Sequence, residues 1–353
     1  MSETVAFVGT YTDTESEGIY RCRVDEPTGS IDDIELVAAT DDPSFLAVDP
    51  THRFLYAVNE VDTGAVTAYR ITTGNDLEEI NRQSIGPADP CYCSLDRTGN
   101  YLFVAHYTGG AVSILPIDDD GSVNEPTVTH HSGSSVDPDR QTAPHPHSIV
   151  PGPDTDFVYV PDLGTDDVVV YELDRTAGAL RERTSVSVQE GAGPRHIEFD
   201  SEGSRAYLIN ELNSTITAFE WDRRSGELSP IETVSTLPNE FDGDNITADI
   251  HVHPSGSFVY GSNRGHDSIA VFELTENGLE RLEIVETGGS WPRNFCLGSS
   301  GESLWVANAH TDTIVGFELV GSDGTIVQIG SSVSVAKPVC LRPVYPRSSD
   351  RVA

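Results

Sequence analysis

The stretch GPRHIEFDSEGSRAYLINELNST, residues 193–215, decides the fold. Apolar letters alternate at Ile197 and Phe199 and recur from Ala206 to Ile209, with Ser201, Glu202 and Gly203 between the two runs. That pattern predicts two short antiparallel strands joined by a tight turn. The first strand opens on Arg195 and His196, and the second runs out into Asn210 and Glu211. Ionisable side chains therefore gather at one end of the hairpin.

The hairpin is one of a series. It aligns with PSFLAVDPTHRFLYAVNE from Pro43, PCYCSLDRTGNYLFVAHY from Pro90 and PHSIVPGPDTDFVYVPDL from Pro146. It aligns again with TADIHVHPSGSFVYGSNR from Thr247 and PRNFCLGSSGESLWVANA from Pro292, so the unit recurs every 45 to 56 residues. Each hairpin is followed by a third strand-like run (GAVTAYRI, STITAFEW, TIVGFEL) and a more polar fourth, such as LEEINRQSI. Four short strands per unit at this period predict the blades of a β-propeller.

Six units are complete and both ends of the chain are partial. TVAFVGTY, GIYRCRV and IELVAAT match second, third and fourth strands, while KPVCLRP near the other end matches a first strand. The fragments complement each other. They predict a seventh blade in which residues 5–8 are hydrogen-bonded beside 339–341, which covers a sheet edge that would otherwise stay open. The expected fold class is all-β, a seven-bladed β-propeller of four antiparallel strands per blade. It forms a single domain over residues 1–346, followed by a short polar tail at 347–353.

Composition narrows the function. There are 57 acidic residues against 21 basic ones, a formal net charge of -36, and Lys337 is the one lysine. Such a surface repels phosphate backbones and anionic lipid, so neither nucleic acid nor membrane is expected as a partner. Repulsion among these carboxylates opposes folding in dilute buffer and is screened near 1 M salt, where the Debye length is about 3 Å. A salt-accumulating cytoplasm is the expected setting. The five cysteines (22, 91, 93, 296 and 340) are odd in number, scattered, and placed in strand-like runs. They read as reduced core residues. The first residues, MSETVAFVGTY, show neither a basic region nor a long apolar run, so a secretory signal is not expected. Nothing in the sequence speaks to oligomeric state.

In a propeller the first strands line the central channel, so functional residues should stand out as departures from the repeat near that channel. Aligning the units puts Glu60, Tyr107, Leu163, Glu211, Arg264 and Ala309 at one position just after the second strand. Glu211 and Arg264 thus come from adjacent blades and are placed to face each other. The first-strand starts carry His147, Arg195 with His196, and Arg293 with Asn294. Taken singly, each has an ordinary structural reading: Arg195 with Glu211 as an inter-strand ion pair, His196 as a satisfied histidine. Asn210, Asn263 and Asn308 share one repeat position, which points to a turn or capping role.

At these residues the chain resembles the seven-bladed lactonase family, which includes bacterial 6-phosphogluconolactonases and a carboxymuconate cyclase. The resemblance rests on PHPHS with VPDLG, GPRHIEFD with YLINELNST, ADIHVHPSG with YGSNRG, and WPRNF with VAN, and it spans essentially the whole chain. It implies catalytic roles for His147, Arg195, Glu211 and Arg264, with no metal and no cofactor. Opening a lactone needs an activated water, a partner for the developing oxyanion and a proton for the leaving alkoxide. On this expectation Glu211 is the base, Arg195 or Arg264 the clamp for an anion, and His147 the proton donor or relay. His196, Arg293, Asn263 and His251 are the candidate substrate-binding residues.

Three functions stay open at this point: hydrolysis of an anionic sugar-acid lactone, the reverse-sense cyclisation of an unsaturated dicarboxylate, and a non-catalytic binding scaffold. Weaker signals lose. The pairs His145 with His147 and His251 with His253 have a spacing that suits zinc, but His253 occupies the turn position held elsewhere by Asp49, Asp96 and Asp200. Cys91 has no histidine beside it in sequence, which argues against a nucleophile.

Overall fold

The computed structural model describes residues 4–275, 278–320, 324–329 and 332–345, and the expected tail at 347–353 lies outside the described residues. No helix occurs among the described residues, and none therefore is long and apolar enough to cross a membrane. The strands form seven sheets whose inner edges face a common axis. From the first blade to the sixth, the inner strands are Leu46–Val48, Pro90–Leu95, Val150–Pro151, Pro194–Phe199, Ile246–Val252 and Pro292–Leu297. The fourth blade shows the pattern: Pro194–Phe199, Arg205–Asn210, Thr215–Trp221 and Leu228–Ser235 pair in chain order, all antiparallel.

The inner hairpins share one turn chemistry. Asp49 Oδ1 accepts from the backbone N–H groups of Arg53 and Phe54 at 2.6 and 2.7 Å, and Asp96 does the same for Asn100 and Tyr101 at 2.8 Å each. An aspartate here mimics a backbone turn and pins the strand that follows. Gly99 and Gly203 supply the left-handed residue at φ 71° and 72°, a region open to glycine at little steric cost. The first blade instead holds His52 at φ 53°. His253 fills the aspartate position by bonding Ser255 Oγ at 2.7 Å through Nδ1, and its Nε2 lies 2.9 Å from Gly301 O, so both ring nitrogens serve the turn.

The seventh blade is closed by both ends of the chain. Pro338–Val344 forms its inner strand, followed outward by Thr4–Thr10, Gly18–Asp25 and Ser30–Ala39. The pairing differs from expectation by three residues. Val8 lies opposite Leu341 and Gly9 opposite Cys340, but Val5 lies opposite Val344. A register break between Gly9 and Thr10 accompanies this offset. The third blade departs too: its inner strand is reduced to Val150–Pro151, plus one isolated bridge from Pro146 to Asp162. Pro144, Pro146 and Pro151 bring no N–H to a ladder, which explains the loss.

Second strands are sandwiched between neighbouring blades, so they are buried on both faces; Phe54–Asn59 and Ser303–Asn308 are buried at every residue. Contacts between blades are largely apolar. Between the third and fourth blades, Ile197, Phe199, Leu208 and Trp221 cluster with Tyr159, and the Trp221 indole donates to the Tyr159 hydroxyl at 2.6 Å. All five cysteines are buried and unbridged.

Candidate active site

Glu211 is the centre of the site. It follows the strand Arg205–Asn210, and its backbone N–H and C=O bond Gly193 O and Thr247 N, tying it between the fourth and fifth blades. Its carboxylate is only 2 % exposed yet holds three guanidinium groups. Arg195 Nε and Arg264 Nη2 donate to Oε2 at 3.0 and 2.7 Å, and Arg140 Nη2 donates to Oε1 at 2.6 Å. His147 Nε2 lies 3.8 Å from Oε2. The four residues expected from sequence therefore do converge, and all four are buried.

The arginines are fixed by backbone as well. Arg195 Nη1 donates to Ala248 O and Arg264 Nη2 to Thr247 O, both at 2.5 Å. Arg264 also sits over the Trp291 ring, 5.2 Å from its centroid. Its Nε is buried without a hydrogen-bond partner. A buried orphan donor beside this charged cluster is suited to a ligand oxygen.

Electrostatics set the protonation states. Burial alone would raise the Glu211 carboxyl, but the surrounding positive charges, Arg264 and Arg195 foremost, outweigh it and hold it well below the usual carboxylate range. His147 is pushed well below the ordinary histidine value by burial and then by Arg195. The centre is thus an ionised carboxylate saturated with donors beside a neutral imidazole.

The rim is more open. Arg293 is partly exposed, 4.0 Å from Glu60, with its guanidinium 5.3 Å from the Tyr11 ring centroid, and the Tyr11 hydroxyl donates to Glu60 at 3.0 Å. Tyr107 stacks on His145 at 4.4 Å and meets the His147 ring edge-on at 5.3 Å. Four arginines, 140, 195, 264 and 293, face two carboxylates, Glu211 and Glu60, which leaves a local surplus of positive charge in a chain of formal charge -36.

Arg140 was invisible to the repeat. It stands on the segment between the strand Thr127–His130 and His147, which has no counterpart in the other units. Three aspartates hold that segment in shape: Asp162 accepts from His131 and from the His145 N–H, Asp166 from Ser135, and Asp137 from the Arg140 N–H. Cys91 has no histidine beside it in sequence, but tertiary packing supplies one: its Sγ lies 3.8 Å from His147 Nδ1. Burial nevertheless pushes the Cys91 thiol far up, so it is not a thiolate nucleophile.

Two of the substrate-binding candidates lie elsewhere. Asn263 bonds Thr236 and Ser268, with its side chain wholly occupied in tying the second strand of its blade to the loop beyond the previous one. His251 sits farther along the channel, between Glu198 at 3.0 Å and Asp249 at 3.2 Å. These two carboxylates outweigh burial and raise it to about 10. His196 is adjacent to the cluster, its Nε2 3.0 Å from Arg195 Nη1. Among the described residues no three His, Cys, Asp or Glu side chains come together as a metal-binding set.

A propeller of seven blades with an arginine-ringed carboxylate at one end of its channel defines a class of small-molecule enzyme. The family described as "Lactonase, 7-bladed beta-propeller" matches residues 5–343, and the chain belongs to it. The chain is similar to the 6-phosphogluconolactonase of Bacillus subtilis, 35% identical over 347 residues that cover 97% of this chain and 99% of the relative. It superposes on the periplasmic gluconolactonase of Pseudomonas aeruginosa with a TM-score of 0.92 at 33% identity, covering 98% and 99% of the two chains. A protein from Lactobacillus plantarum gives 0.92 at 30% identity, covering 98% and 100%.

Proposed function

We propose that this protein hydrolyses the lactone of a sugar acid, without a metal, at the Glu211 cluster. The observation that carries the mechanism is a buried His147 whose Nε2 lies 3.8 Å from a carboxylate that already accepts from three arginines. Both groups are unprotonated, but the carboxylate is occupied by three guanidinium donors. The imidazole Nε2 takes no arginine hydrogen bond among the described residues, so the imidazole is the group free to accept a proton from water. On this reading His147, expected as proton donor or relay, also takes the base role expected of Glu211. His147 Nε2 removes a proton from water as its oxygen attacks the lactone carbonyl carbon. Arg264 and Arg195 donate to the developing oxyanion. When the ring C–O bond breaks, His147 returns the proton to the departing ring oxygen. Glu211 organises the arginines and balances their charge, and Arg293 and Arg140 at the rim attract an anionic substrate.

The test is a panel of gluconolactone, 6-phosphogluconolactone and a carboxymuconate, assayed in molar KCl with the spontaneous rate subtracted. A rate above background on a lactone, lowered by about a hundredfold or more in His147→Gln, supports the reading. Turnover of the muconate alone makes the protein a cyclase at the same residues. No turnover of any of them leaves a binding scaffold. The charge of -36 and single lysine support a salt-rich working compartment.

A further inference from the structure

A buried chain of side chains runs from the Glu211 cluster down the channel, and the lactonase reading does not use its far half. Arg195 Nη1 meets His196 Nε2 at 3.0 Å, and His196 Nδ1 meets Asp249 Oδ1 at 2.8 Å. Since a guanidinium only donates and a carboxylate only accepts, His196 must carry its proton on Nδ1 and present a lone pair at Nε2. His196 is held down to about 3, by burial and then by Arg195, so the ring is neutral and one tautomer is enough. Asp249 is itself anchored: Oδ1 also accepts from Ile250 N at 3.1 Å, and Oδ2 from His251 Nε2 at 3.2 Å, Phe295 N at 3.3 Å and Asn294 Nδ2. Asn294 cannot turn over freely, because its Oδ1 accepts from Leu341 N at 2.6 Å.

We propose that Asp249 is a positioning residue, which locks His196 as the Nδ1–H tautomer so that Nε2 aims the Arg195 guanidinium at the reaction centre. The assignment rests on the lactonase reading for its kinetic consequence, though not for its geometry. It is sharpened by Asp249→Asn, which keeps shape and changes donors. Three donors, one of them the charged His251, converge on Oδ2, so the amide oxygen of the variant belongs there. Its NH2 then faces His196 Nδ1 and drives the proton to Nε2, where it opposes Arg195 Nη1, as in other enzymes where an aspartate sets a histidine tautomer.

The experiment labels histidine with 15N and reads the tautomer of His196 from its two-bond proton–nitrogen correlations, with His196→Gln identifying its signals among the eleven histidines. The wild type should show Nδ1–H and Asp249→Asn should show Nε2–H. Lactone turnover by Asp249→Asn should fall in kcat by about ten- to a hundredfold, somewhat less than complete loss of an oxyanion donor, with KM within about twofold. His196→Gln, whose amide can accept from Arg195 and donate to Asp249, should lose less kcat than His196→Leu, which can do neither. The proposal is overturned if the wild-type ring is Nε2–H or doubly protonated. It is equally overturned if Asp249→Asn switches tautomer at full kcat, or if His196→Gln and His196→Leu are equally impaired. Should Asp249→Asn fail to fold, the wild-type tautomer and the Gln-against-Leu comparison still decide. A wild type that turns over no lactone refutes the lactonase reading, and the tautomer measurements then judge the positioning claim alone.

Discussion

Replacing Glu211 by Gln tests the centre of the site through stability and turnover together. The substitution keeps the volume and removes the charge that balances Arg195 and Arg264, which are 2 % and 3 % exposed. One amide oxygen then serves where two carboxylate oxygens served three guanidinium groups, and the amide NH2 confronts a donor. Breaking a buried pair by removing one partner costs about 3–5 kcal/mol. The Arg140 contact adds little, because that side chain is 37% exposed. With an unfolding entropy of roughly 2.1 cal/mol/K per residue over 353 residues, that loss lowers Tm by about 4–7 °C. The sign of the pH dependence follows from the depressed carboxyl. Its stabilisation is complete above the unfolded value of about 4.3 and is lost as pH falls through the folded one. Denaturant titrations of wild type and Glu211→Gln in molar KCl should therefore differ fully at pH 7 and draw progressively together as pH falls below the unfolded value of about 4.3. On the proposed mechanism turnover should fall by about a hundredfold or more, since Arg195 and Arg264 lose the carboxylate that organises them. A variant that melts with the wild type at pH 7 and turns over at the wild-type rate would refute the central placement of Glu211.

Other outcomes are expected from the same geometry. Because His147 stays neutral well below the ordinary histidine value, the acid limb of kcat/KM should lie below the ordinary histidine range, and His147→Gln should flatten it while lowering kcat by about 10²- to 10⁴-fold. Arg264→Ala should weaken inhibition by a hydroxy-acid product as well as turnover, because the guanidinium acts on bound anion and transition state alike; equilibrium dialysis against the product measures the first effect. Leu341 is 1% exposed and packs with Val8 and Trp305 in the closing blade, so Leu341→Ala should destabilise the protein by about 2–5 kcal/mol in a urea titration. Melting temperature should climb from dilute buffer to molar KCl, as screening quiets outer-strand carboxylates such as Glu78, Glu79 and Glu280. A flat curve would remove salt from the account of the acidic surface.

How far the chain could be read depended on whether a feature repeats. The blade number, the hairpin turns at Asp49, Asp96 and Asp200, and closure by both termini all follow from a pattern of alternation written many times over. His147, Arg195, Glu211 and Arg264 could be picked out because they break that pattern at matching positions, and a repeat converts matching positions into spatial neighbours. Arg140, Asp249 and the contact of Cys91 with His147 had no such index. Arg140 sits on a segment outside the repeat, Asp249 points along the channel instead of across a hairpin, and the Cys91 contact joins two blades through their inner edges. The register of the closing blade escaped as well, since strands more than 300 residues apart are aligned by the packing of neighbouring blades and by the break at Gly9. Protonation was the last thing to be decided. The sequence names an acid, two arginines and a histidine, but their protonation follows from burial and distance: the closed ring buries Glu211 against Arg264 and Arg195, which outweigh desolvation, and buries His147 beside the same charges.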